Sequence, residues 1–110
     1  MTDHRLDVLA ALADEIATRR TASPETSYTA KLLSQGVEKC AKKFGEEAVE
    51  LALASVLRNT EQTTAEAADV LYHLLVLLSA SGVELSEVMA ELARRQGVSG
   101  IAEKASRPKD

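Results

Sequence analysis

The stretch Lys42-Lys43-Phe44-Gly45-Glu46-Glu47-Ala48-Val49-Glu50 decides how the rest of the chain is read. Residues three and four apart share a helix face, so Glu47 and Glu50 point one way, and Glu66 and Asp69 form a second such pair further on. Like charges at this spacing cost a solvated helix roughly 0.2–0.5 kcal/mol per pair, and more once burial removes water. On a helical wheel that starts at Phe44, the side chains met in turn are Leu51, Glu47, Ala54, Lys43, Glu50 and finally Leu53 on the opposite side. The acids therefore occupy a narrow polar strip between two apolar walls. Val37, Cys40, Ala41, Phe44, Ala48, Leu51 and Ala52 make one wall, with Val49, Leu53 and Val56 roughly opposite. A helix apolar on two sides is expected to be covered on two sides.

The spacing predicts a helix over 37–57, and a second over 63–81 that places Glu66, Asp69, His73 and Leu77 on one stripe with apolar residues nearly all round. Thr63-x-x-Glu66 fits a capping box, which leaves Glu66 two readings: reaching back to the backbone of Thr63, or pointing across to the preceding helix as a cation ligand. His73, one turn beyond Asp69, reads first as a satisfied core histidine orienting that carboxylate and second as a ligand.

Around this pair the pattern predicts a first helix over 4–20 with Thr2 or Asp3 as N-cap, and a Pro24-containing linker. A short helix capped by Ser27 follows and ends near Gly36, and another spans 84–95 with Leu85, Val88, Met89 and Leu92 as its inner stripe. The whole is an all-α chain, a four- to five-helix bundle forming one domain over 1–110. Composition alone makes residues 1–3 and about 98–110 mobile.

Bulk properties narrow the function. Aromatic residues are 3 % of 110, so the core rests on Leu, Val and Ala packed between helices. A net charge of -4 without a basic face argues against nucleic acid, and no apolar run approaches membrane-spanning length. The single Cys40 excludes an internal disulfide and a cysteine-rich zinc site, and reads as a small core residue. Asp3, His4, Arg5 and Asp7, where a signal peptide needs an apolar run, make the cytoplasm the expected location.

Four carboxylates without cysteine form a hard oxygen site, suited to Mg²⁺ or Mn²⁺. Di-iron bundles use Glu-x-x-His pairs, which this chain lacks. Mg²⁺ held by a few carboxylates completes its shell with water and substrate phosphates, so the chemistry expected is phosphoanhydride hydrolysis. Lys43 on the acidic strip and Lys39 nearer Glu46 are candidate phosphate contacts, with salt bridges to the glutamates as the alternative.

The pattern Glu46-Glu47-x-x-Glu50 followed by Glu66-x-x-Asp69 resembles the all-α, MazG-like nucleoside triphosphate pyrophosphohydrolases. Four ordered blocks narrow the resemblance to the phosphoribosyl-ATP pyrophosphohydrolase family of histidine biosynthesis: Ser27–Leu33, Lys42–Glu50, Glu66–Val76 and Ser99–Ala105. Cys40 and Phe44 stand where that family more often has aliphatic residues. The resemblance implies hydrolysis of 1-(5-phosphoribosyl)-ATP to the AMP derivative and pyrophosphate with Mg²⁺, in a homodimer or homotetramer whose core helices pair across the interface. It implies Glu47, Glu50, Glu66 and Asp69 as metal ligands and Glu46 and Glu47 as catalytic groups. Ser27, Tyr28, Thr29, Lys31, Lys39, Lys43, Lys104 and Arg107 become the groups expected to approach substrate. A housekeeping hydrolase of other nucleoside triphosphates would use the same acids, whereas a non-catalytic interaction module would scatter them over open surface.

Overall fold

The computed structural model describes residues 4–108, and among these it is all helical. Helix α1 (Asp7–Thr18) runs into a 3₁₀ turn at Arg19–Thr21 and is followed by α2 (Tyr28–Ser34), α3 (Val37–Val56), α4 (Thr60–Ser81), α5 (Leu85–Arg95) and α6 (Gly100–Ser106). Thr2 and Asp3, expected to cap the first helix, lie outside the described residues; Leu6 precedes α1 without a side-chain cap.

The most extensive packing is between α3 and α4. Only residues 57–59 join these helices, so they fold back on one another as an antiparallel hairpin. Arg58 takes the left-handed conformation at φ 58° to make the reversal. The start of α4 corrects the Thr63 capping box. Asn59 is the N-cap, its side chain accepting from the Gln62 N–H at 2.9 Å, and Thr63 N–H donates to the Asn59 carbonyl at 2.8 Å inside the helix. Asn outranks Thr as a cap, and starting earlier adds most of a turn of backbone hydrogen bonds. Glu66 is thereby left in the helix interior with no cap to serve.

The core joins the first four helices through Ile16, Leu32, Cys40, Leu75 and Val76. Cys40 is buried as expected, its thiol donating to the Leu32 carbonyl at 3.3 Å, and burial raises its pKa. Ser27 caps α2 by accepting from the Ala30 N–H at 3.1 Å, as its sequence position predicts. Gly82 ends α4 at φ 75°, where Gly82 and Val83 N–H groups donate back to Ser79 and Leu78 carbonyls. The Arg20 guanidinium closes the same end, donating to Ser79 Oγ at 2.9 Å and the Ser79 carbonyl at 2.8 Å.

From there α5 turns away from α4 by 109°. A capping box at Glu84 and Glu87 fixes its first turn. Residues 98–108 contain α6, capped by Ser99 and with Glu103 buried. Arg94 reaches Glu103 at 2.8 Å, Arg107 lies at 3.5 Å and Arg95 at 3.6 Å. A buried carboxylate persists only with such partners, and composition gave no sign that they converge.

Of the two apolar sides expected of α3, one is covered in part: Cys40 is buried and Phe44, Ala48 and Leu51 are half-buried, while Val37, Ala41 and Ala52 are exposed. Val49, Leu53 and Val56 on the other side are exposed. Among the described residues no single helix is long and apolar enough to cross a membrane.

Candidate active site

The antiparallel pairing brings the middle of α3 opposite the first half of α4, so the two acid pairs face each other. Oxygens of Glu47, Glu66 and Asp69 lie within 4.8 Å of one another. Glu50 adjoins them, close enough to raise the pKa of both Glu47 and Glu66. The four predicted ligands therefore form one cluster and are not dispersed over open surface.

The cluster grades from wet to dry. Glu47 and Glu66 are half-buried, while Glu50 and Asp69 are exposed on its rim. Partial loss of solvent is the largest cause raising Glu47, followed by the neighbouring Glu50, Asp69 and Glu66 carboxylates. Glu66 is raised for the same reasons, with Glu50 its strongest charged neighbour. One Glu66 oxygen, Oε2, is buried without any hydrogen-bond partner. A buried carboxylate oxygen without a donor is costly, and a cation is the group that would relieve both the orphaned oxygen and the mutual repulsion. The donor set is oxygen only, which fits a hard divalent ion such as Mg²⁺.

Glu46, one residue round the helix, is exposed on the rim and faces the Lys43 ammonium at 3.9 Å. Lys43 is half-buried on the strip, whereas Lys39 is exposed. His73 is buried as expected but is not a satisfied histidine. Its Nδ1 has no partner, and the ring stands edge-on to Tyr72 at 5.0 Å. Burial and the nearby Lys43 both lower its pKa, so it sits beside the acids as a neutral ring.

The Ser27–Lys31 block divides by role. Ser27 caps α2, and Thr29 shares a short hydrogen bond with the Tyr72 hydroxyl of α4, so both are engaged in holding α2. Tyr28, half exposed, stacks on Tyr72 at 6.5 Å, and with Lys31 it lines an open groove of about 630 Å³. Sequence reasoning missed Tyr72. Its only signal was an aromatic hydroxyl at a nearly all-apolar helix position, which needs a partner when buried. Lys104 and Arg107 are on α6 and at its C-terminal end, outside the carboxylate cluster, with Arg107 turned onto Glu103.

The profile of the phosphoribosyl-ATP pyrophosphohydrolase family matches residues 9–96, from α1 through α5. The chain belongs to this family. Among its relatives, the phosphoribosyl-ATP pyrophosphatase of Dinoroseobacter shibae is 60 % identical over 102 residues, covering 93 % of this chain and all of the relative. That of Methylobacterium radiotolerans is 61 % identical over 107 residues, 97 % of each chain. A third, from Cereibacter sphaeroides, is 58 % identical over 102 residues, 93 % of this chain and 99 % of the relative. These matches run over nearly the full length of both partners, so they span the α3–α4 hairpin.

Proposed function

We propose that this chain hydrolyses 1-(5-phosphoribosyl)-ATP to 1-(5-phosphoribosyl)-AMP and pyrophosphate, a step of histidine biosynthesis, in the cytoplasm and as a homodimer or homotetramer. The observation that carries the reading is the facing acid cluster of α3 and α4, with its unpartnered Glu66 oxygen, in a member of this family. Glu47, Glu50, Glu66 and Asp69 would hold Mg²⁺. When bound, the ion supplies charge neutralisation at the phosphoryl oxygens and lowers the pKa of coordinated water.

The chain's own residues supply the rest. Glu47 and Glu66, held half-buried by the helix pair, fix the orientation of the polar face against which the triphosphate lies. Glu46 on the rim accepts the proton of the attacking water, and Lys43, 3.9 Å from it, is placed to pair with a phosphate oxygen. Tyr28 and Lys31 border the groove beside α2 and form a surface for the nucleotide or ribose portion. His73, buried on α4 one turn beyond Asp69, stands beside the cluster with its pKa lowered by burial.

The test is pyrophosphate release from phosphoribosyl-ATP and from a panel of ordinary nucleoside triphosphates, with and without Mg²⁺. Phosphoribosyl-ATP should be strongly preferred and turnover should require the metal. Equal rates on ATP would refute the substrate and favour a housekeeping hydrolase. Glu50→Gln should abolish turnover with an unchanged circular dichroism spectrum.

A further inference from the structure

Three chemically unlike residues, Glu25, Tyr28 and Lys31, line the open groove of about 630 Å³ beside α2. The turn that carries Glu25 is fixed from within by Ser23. Its carbonyl accepts from the Thr26 and Ser27 N–H groups, each at 3.1 Å, and its Oγ accepts the Glu25 N–H at 3.3 Å. Pro24 adds a fixed φ to the same turn. Glu25 and Lys31 are both exposed, and among the described residues neither charged group makes a hydrogen bond or an ion pair.

Tyr28 is 55 % exposed, yet its ring is not free. One face stacks on Tyr72, with centroids 6.5 Å apart and planes 19° from parallel. Tyr72 is itself held through its hydroxyl to Thr29 and by packing on the core. With one face on Tyr72, the exposure of Tyr28 falls on its other face and its edge. Tyr72 stands on α4 one turn beyond Asp69, about 4.5 Å further along the axis. The platform is thus tied through one ring to the helix that carries two of the four acids.

A tyrosine face and an unpaired carboxylate attract a flat cation, and a lysine ammonium attracts a phosphate. In 1-(5-phosphoribosyl)-ATP the added ribose is attached at N1 of adenine. Alkylation there leaves the N1–C6–N6 amidine protonated at neutral pH, so the base is a flat cation with an exocyclic N–H donor, and the added ribose carries a phosphate. The base of ATP, unsubstituted at N1, is neutral. We propose that Glu25 and Tyr28 are specificity-determining residues for phosphoribosyl-ATP over ATP: the cationic adenine lies on the open face of Tyr28, and its exocyclic N–H donates to the Glu25 carboxylate. Lys31 pairs with the phosphate of the added ribose. ATP is disfavoured because the groove's attractions act weakly on a neutral base and the ammonium finds no second phosphate. This recognition rests on the substrate reading above and adds to it the chemical feature by which the substrate is chosen.

Nucleosides separate the base from the phosphates and the metal. The chain has two tyrosines and no tryptophan, so the ring signals of Tyr28 and Tyr72 in isotope-labelled protein report binding directly by NMR. 1-Methyladenosine, cationic as the substrate's base is, should shift the Tyr28 signals and bind about 5- to 30-fold more tightly than adenosine, the range a partly desolvated cation–π contact supplies. The preference should fall as pH rises through the titration of 1-methyladenosine itself, below the tyrosine range of about 10. Glu25→Gln and Tyr28→Leu should each weaken 1-methyladenosine more than adenosine, and Tyr28→Phe, which keeps the ring, should retain the preference. Equal affinities for the two nucleosides, no detectable binding of 1-methyladenosine, or shifts that bypass Tyr28 would overturn the assignment. In turnover, the ratio of kcat/KM for phosphoribosyl-ATP over ATP should fall about tenfold in Tyr28→Leu; a loss shared equally by both nucleotides would refute its role in selection. Should the wild type release no pyrophosphate from phosphoribosyl-ATP, the activity reading fails while the nucleoside titration still decides recognition of the cationic base.

Discussion

Replacing Glu47 by Gln should stabilise the metal-free protein while removing its response to metal. Glu47 is half-buried and lies among three other acids, Glu50, Asp69 and Glu66, all of which push its pKa up. At roughly 0.2–0.5 kcal/mol per like-charged neighbour, removing one member relieves about 1 kcal/mol. In a domain of this size that corresponds to a rise in melting temperature of about 4–8 °C. A cation bound by the native cluster acts in the opposite sense on the comparison. At a free concentration of about 100 times its dissociation constant it stabilises the wild type by about 2.7 kcal/mol, and the variant by much less. Thermal melts of both proteins in chelator and across a Mg²⁺ or Mn²⁺ series therefore should cross, with the variant higher without metal and the wild type higher with it. The pH dependence follows from the same shift. The folded pKa of Glu47 lies above the usual 4.5, so its favourable contribution is present below pH 4.5 and is lost as pH rises through the folded pKa. The variant's advantage in chelator should accordingly be small near pH 4 and fully developed at neutral pH. A lower melting temperature of Glu47→Gln in chelator at pH 7 would refute the idea that the cluster is held under mutual repulsion.

Two further outcomes bear on the scaffold and on the ion pairs that join α5 to α6. Ile16→Ala should lose about 2–5 kcal/mol in urea unfolding, because this side chain is 2 % exposed where α1 meets α2, α3 and α4; a loss under about 1 kcal/mol would mean the core is not closed there. Acid should undo the α5–α6 clamp: Arg94 and Arg95 hold Glu91 down to about 2, and Arg94 chiefly lowers Glu103. Their contribution is present above about pH 4.5 and lost as pH falls toward 2. Hydrogen exchange should show α6 amides losing protection in that window before α3 and α4 do, and unchanged α6 protection at pH 2 would contradict the clamp.

Where sequence reasoning failed, the missing information was always a partner outside the motif being read. Thr63 and Glu66 had the spacing of a capping box, but Asn59 won because a stronger cap stood one turn earlier. The convergence of three arginines on Glu103 was not legible, because composition counts Gly, Ser and Lys and says nothing of which side chains meet. His73 was placed correctly in the interior, yet its unpartnered Nδ1 depends on which atoms of other elements surround it. Ser27 was legible in full, since an N-cap bonds three residues on within its own segment.

What the sequence determined by itself is the pair of helices and the identity of the four acids. Helical periodicity is a local property, and spacings of three residues put Glu47 with Glu50 and Glu66 with Asp69 on any helix that forms. Only the tertiary structure decided that the two pairs meet, and which members are dry. The three-residue turn at 57–59 sets the register of α3 against α4, and that register brings the oxygens of Glu47, Glu66 and Asp69 within 4.8 Å. It buries Glu66 Oε2 without a partner and leaves Glu50 at the edge of the uncovered apolar face. Charge repulsion and desolvation depend on distances between helices, and no spacing along one helix contains them.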